Sequence, residues 1–124
     1  MKSWGLTVNI RHDAAVEQYI EMHKGVWPEI IGPGGALEGL GIKTMQIFYC
    51  KPYTLFMYME TDDDFTPANE FKRANIEFDP RVKEWDDIMH GQLLQRTPGN
   101  DGPTEWFPLT KVFQYDEREN TVAY

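Results

Sequence analysis

Ile42-Lys43-Thr44-Met45-Gln46-Ile47-Phe48-Tyr49-Cys50-Lys51-Pro52-Tyr53-Thr54-Leu55-Phe56-Met57-Tyr58-Met59-Glu60 reads as two β-rich runs, Ile42 to Cys50 and Thr54 to Glu60, joined by a connection short enough for an antiparallel hairpin. Apolar side chains occupy both parities. Ile42 and Phe48 oppose Met45 and Ile47, and Leu55 and Met57 oppose Phe56 and Tyr58. A sheet that is apolar on both faces must bury both. Toward the N-terminus, Trp4, Leu6, Val8 and Ile10 alternate with Gly5, Thr7, Asn9 and Arg11, the period of a half-buried strand. Val16, Tyr19, Ile20, His23 and Trp27 then recur at helical spacing behind Asp13 as the expected N-cap. Pro28 breaks that helix, because proline lacks a backbone donor and drives the preceding residue to an extended conformation. Gly32-Pro33-Gly34-Gly35 turns the chain, and Gly39 and Gly41 lead back to the hairpin.

C-terminal to the hairpin, Asp62-Asp63-Asp64 reads as a solvated turn capping a helix from about Pro67 to Ile76. A further helix from Pro80 to about Leu93 starts at Asp79-Pro80 and places Val82, Trp85, Ile88 and Met89 on one face. After a Pro/Gly-rich loop over 97–103, Glu105 to Tyr115 is expected to form the last strand. The order β-α-β-β-α-β predicts an α+β, ferredoxin-like fold with a four-stranded antiparallel sheet and helices on one face. Residues 1–115 are then a single domain, and 116–124 a polar C-terminal tail. With 124 residues there is no second helical layer for the open face, which implies a homodimer with sheets packed face to face.

The composition narrows the function. Acidic residues outnumber basic ones 20 to 12, for a net charge of -8, so phosphate backbones repel the chain and nucleic-acid binding is not expected. No run has the length and apolarity of a membrane span, and the start of the chain lacks the apolar core of a secretory signal. The single cysteine, Cys50, lies in an apolar stretch, which suggests a small buried hydrophobe and a reducing, cytoplasmic compartment. His12, His23 and His90 show no metal-ligand spacing, and phosphate loops, a nucleophile elbow and paired Cys-x-x-Cys are absent from the sequence. Metal catalysis is not expected.

Tyr19 and His23 stand four apart, hence on one helix face. A histidine is the natural proton carrier near neutral pH, and a tyrosine beside it can orient a hydroxyl-rich ligand. Spacing alone is better served by two core residues with satisfied polar tips. Trp27-Pro28 is sufficiently explained as a rigid corner. Trp85 fits the core of its helix, yet an indole face is also what a sugar ring packs against. Its neighbours Asp86 and Asp87 read most simply as solvated helix residues.

Tyr19-Ile20-Glu21-Met22-His23-Lys24-Gly25-Val26-Trp27-Pro28-Glu29 resembles the Tyr-x3-His-x3-Trp-Pro-Glu segment of the L-rhamnose mutarotase family. Further landmarks follow in order: Gly41-Ile42, Leu55-Phe56, Glu84-Trp85 with Met89, Pro98-Gly99, and Trp106 with Val112-Phe113. The resemblance implies a dimeric α/β barrel, needing no metal or organic cofactor, that binds a monosaccharide. It implies that Tyr19 contacts the sugar and that His23 is the proton donor. Two positions depart from the family pattern. Met45 stands where the family has a sugar-contacting tyrosine, and Asp86 where it has the second tryptophan of a pair with Trp85. A hydroxyl contact is replaced at one position and a stacking surface by a carboxylate at the other.

On this reading the chain interconverts the α and β anomers of a 6-deoxyhexose, most simply L-rhamnose, with L-fucose as rival. His23 protonates the ring oxygen, Tyr19 positions a hydroxyl, Trp85 packs on the sugar and Asp86 accepts from a hydroxyl; the sequence assigns no base. Two other readings share the fold: a small monooxygenase of the antibiotic-biosynthesis type, and a non-catalytic ligand-binding domain.

Overall fold

The computed structural model describes residues 1–118 and the backbone of 121–123. The chain runs β1 (Lys2–Ile10), α1 (Asp13–His23), α2 (Pro28–Ile31), α3 (Ala36–Gly39), β2 (Ile42–Cys50), β3 (Thr54–Thr61), α4 (Pro67–Glu77) and α5 (Pro80–Ile88). A π-helical turn (Met89–Leu93) then leads into β4 (Leu94–Gln95), β5 (Phe107–Pro108), β6 (Gln114–Asp116) and β7 (Thr121–Ala123). β1 lies between β3 on one side and β4 with β5 on the other, all antiparallel, in the order β2-β3-β1-β4. This is the ferredoxin-like arrangement.

The alternation in β1 sends Leu6, Val8 and Ile10 into the core at no more than 2% exposure, facing Met57 and Leu55 of β3 across the ladder. Ala15 and Tyr19 of α1, Ile30 of α2, Ala74 of α4, Val82 of α5 and Met89 and Leu93 of the π-helical turn cover that face. Each such aliphatic side chain removed from water stabilises the fold by about 1.5–3 kcal/mol. The opposite parity carries Phe48 and Phe56, which remain 53% and 36% exposed with ring centroids 6.4 Å apart. Gly5 on β1 makes room for the Phe56 ring, since a Cβ there would come within 3.1 Å of it.

Several local expectations are corrected. The α1 N-cap is His12, whose Nδ1 accepts from the Ala15 amide at 3.2 Å; Asp13 is the first helical residue and accepts from the Tyr53 hydroxyl. Ile20 faces outward at 40% exposure. The acidic turn does not cap α4. Thr66 is its N-cap without a side-chain hydrogen bond, while Asp63 pairs with the amino terminus and Asp62 with Lys43. Cys50 is exposed, because it ends an edge strand beyond the core.

The largest correction concerns the last strand. Glu105 to Tyr115 is not one strand, because Leu94 and Gln95 already pair with Ile10 and Asn9 as soon as the π-helical turn ends. Residues 96–106 leave the sheet, held by Arg96 donating to the carbonyl of Gly102 and by the Asn100 amide donating to the carbonyls of Thr104 and Glu105. The strand resumes at Phe107–Pro108 beside Thr7 and Leu6. Pro108 has no amide to extend the ladder, and after the Leu109 amide donates to the Gly5 carbonyl the chain departs. In the expected tail, Asp116 belongs to β6, which pairs with β7 as a hairpin. Residues 119, 120 and 124, also assigned to that tail, lie outside the described residues.

Candidate active site

α1 places Tyr19 and His23 one turn apart with their rings stacked, centroids 4.1 Å apart and planes 27° from parallel. His23 Nδ1 lies 2.8 Å from the Tyr19 carbonyl oxygen. A carbonyl only accepts, so Nδ1 carries the proton and the neutral ring presents a bare Nε2. The helix ends at His23, and Lys24 and Gly25 release the chain toward Trp27, which is extended ahead of Pro28. α5 brings Trp85 into the same cluster. Its ring meets His23 edge-on at 5.3 Å and Trp27 edge-on at 5.1 Å. The Arg81 guanidinium, one turn earlier on α5, lies 3.7 Å over Trp27.

Burial sets the chemistry of these groups. Tyr19 is 4% exposed, and desolvation pushes its phenol well above the ordinary tyrosine range, so it stays neutral. Half-buried His23 is pulled below its ordinary value by desolvation, partly opposed by its hydrogen bond to the Tyr19 carbonyl. Its neutral form therefore dominates at neutral pH. Among the described residues, no protein group hydrogen-bonds the Tyr19 hydroxyl, His23 Nε2 or the indole nitrogens of Trp27 and Trp85, and none of these atoms is among the fully occluded unpartnered ones. A buried ring whose polar tip is unpaired but not sealed is suited to a hydroxylated ligand.

The other candidates make contacts of their own. Met45 is half-buried on β2, level with Met59, and packs against the core on the helix-bearing face. Asp86 accepts from the Asn75 amide of α4 at 2.9 Å and from His90 Nε2 at 3.2 Å. Burial alone would raise its carboxyl, but His90, Asn75 and Lys83 outweigh that and hold it below the usual range. His90 Nδ1 is fully occluded without a hydrogen-bond partner, 3.8 Å from Glu105, beside a cleft of about 480 Å³ that Arg11 and Arg96 also line. Among the described residues no group of His, Cys, Asp or Glu is placed to hold a metal ion, and no helix is long and apolar enough to cross a membrane.

Two members of the cluster were not singled out as site residues from the sequence. Trp27, expected on the face of the first helix and at a rigid corner, instead lies beyond the end of α1, extended ahead of Pro28; Arg81 falls four before Trp85. That spacing places Arg81 and Trp85 on one face of α5.

The family model for L-rhamnose mutarotase matches residues 4–115. Among solved structures the chain is similar to an L-rhamnose mutarotase from Formosa agariphila, with a TM-score of 0.65 and 26% sequence identity over 94% of this chain and 100% of that one. No curated protein matches the chain.

Proposed function

Since the chain belongs to the L-rhamnose mutarotase family, we propose that it interconverts the α and β anomers of L-rhamnose or a close 6-deoxyhexose relative such as L-fucose, using His23 as the proton carrier. The observation that carries this reading is the His23 tautomer: Nδ1 is tied to the Tyr19 carbonyl, and Nε2 is bare on a ring packed against those of Tyr19 and Trp85.

Mutarotation exchanges a proton between two oxygens on the same carbon. Neutral His23 accepts the anomeric hydroxyl proton through Nε2. The C1–O5 bond then breaks, its electron pair leaves on the ring oxygen, and C1 becomes the aldehyde carbon. The imidazolium returns the proton to the ring oxygen. Rotation about C1–C2 and the reverse steps close the other anomer, so no atom or electron is gained or lost. One imidazole thus serves as both base and acid, its lowered proton affinity keeping it unprotonated and able to accept at neutral pH. The Tyr19 phenol, kept neutral by burial, positions an adjacent hydroxyl, and Trp85 packs on an apolar sugar face. Met45 and Asp86 stand at the positions where substrate choice between L-rhamnose and L-fucose is set, a carboxylate in place of an indole favouring contact with a hydroxyl.

We further assign the working unit as a homodimer joined through the face bearing Phe48, Phe56 and Phe107, and the compartment as the cytoplasm, where an exposed free Cys50 persists as a thiol. Saturation-transfer NMR on L-rhamnose and L-fucose, with wild type and His23→Ala, tests the activity. Faster anomer exchange with wild type alone is expected. Equal rates in the two samples would remove His23 from the reaction, and tight sugar binding without exchange would make the chain a binding domain.

A further inference from the structure

We propose that Arg81 is a positioning residue for this sugar site, holding Trp27, and through it Trp85, in register with His23. The inference rests on the mutarotase reading for its kinetic consequence but not for its structural one. The Arg81 guanidinium lies 3.7 Å from the Trp27 ring centroid, close enough for a planar cation to stack on the indole face. Two carboxylates from different elements hold it there: Glu29 at 3.4 Å, in the first turn of α2, and Glu84 at 3.2 Å, on its own helix. Trp27 and Glu29 flank Pro28, so the tryptophan supplies the face and the glutamate the counter-charge for one arginine.

The stack continues inward. Trp27 meets Trp85 at 5.1 Å, Trp85 meets His23 at 5.3 Å, and His23 stacks on Tyr19 at 4.1 Å. Neither indole nitrogen is hydrogen-bonded within the described residues, so this cation and packing hold Trp27, and Trp27 packs in turn against Trp85. The ion pairs are half-exposed, and pairs of that kind add little to stability. Their geometric effect is larger, because a ring that stacks on a sugar must already be in place before the sugar arrives.

The test compares wild type with Arg81→Met, which keeps the apolar stem and loses the planar cation, and with Arg81→Lys, which keeps only the charge. Lys83→Met is the control, removing an exposed cation that pairs with Asp87 on the same helix. Far-UV circular dichroism reads the exciton couplet of the two packed indoles without any substrate, and NMR anomer exchange reads KM and kcat. Arg81→Met is expected to lose most of the Trp coupling and to raise KM about 3- to 10-fold with a smaller change in kcat. Arg81→Lys should fall between it and wild type, and Lys83→Met should match wild type. Unchanged coupling in Arg81→Met, or a change no greater than in Lys83→Met, would overturn the proposal. If wild type itself exchanges no sugar anomers, the mutarotase reading fails, and the coupling alone decides the role of Arg81.

Discussion

His23 concentrates the testable chemistry at the residue scale. Removing its ring should lower the catalysed exchange by about 10²- to 10⁴-fold, the usual worth of a placed proton carrier. Because the free enzyme must hold the ring neutral, kcat/KM should rise with pH to a plateau, with its midpoint below the ordinary histidine value of 6.5. The same shift has a stability consequence. Between the depressed native value and 6.5 the unfolded chain binds the proton and the native state does not, so this group makes stability rise with pH across that window and penalises folding below it. Urea unfolding of wild type and His23→Gln from about pH 5 to 8 checks this, the variant showing the shallower dependence. Tyr19→Phe separates binding from folding. The hydroxyl has no protein partner among the described residues, so the variant should keep its melting temperature while KM rises about 3- to 10-fold, as for one lost hydrogen bond.

At the scale of elements, the path of the chain between helices and sheet depends on a few turns. Gly41 connects α3 to β2 with φ +84, and a Cβ there would collide with the Asp62 carboxylate. Gly41→Ala should therefore destabilise the protein by about 1–3 kcal/mol, read as a lowered urea midpoint. The end of α5 is the other decisive junction. The π-helical turn carries Met89 and Leu93 into the core and delivers Leu94 to β1 directly. The helix spacing of Val82, Trp85 and Met89 was legible in sequence, and these residues do face inward. The handover to β4 was not, because two residues make no alternating pattern, and their strand character comes from the free edge of β1 beside them.

For the whole molecule, the unresolved balance is the open sheet face. Phe48, Phe56 and Phe107 are 53%, 36% and 38% exposed, a cost in water that a second copy would relieve. Light scattering after size exclusion should give a dimer for wild type and a monomer for the Phe48→Lys, Phe56→Lys double variant, with far-UV circular dichroism unchanged because neither side chain enters the core.

Periodicity alone determined most of the architecture: β1 with its buried parity, the β2–β3 hairpin, the helical runs and the ferredoxin-like order all follow from backbone geometry acting on apolar spacing. The pairing of Tyr19 with His23 followed from the same rule, since residues four apart on a helix must share a face. Tertiary structure decided what crosses between elements. Trp85 reaches His23 and Trp27 only because α5 packs beside α1 and α2, Asp86 binds Asn75 because α4 lies alongside, and the fourth strand divides because β1 has room for two short partners. Spacing along a chain reports faces, whereas a site assembled from three helices depends on how those faces meet.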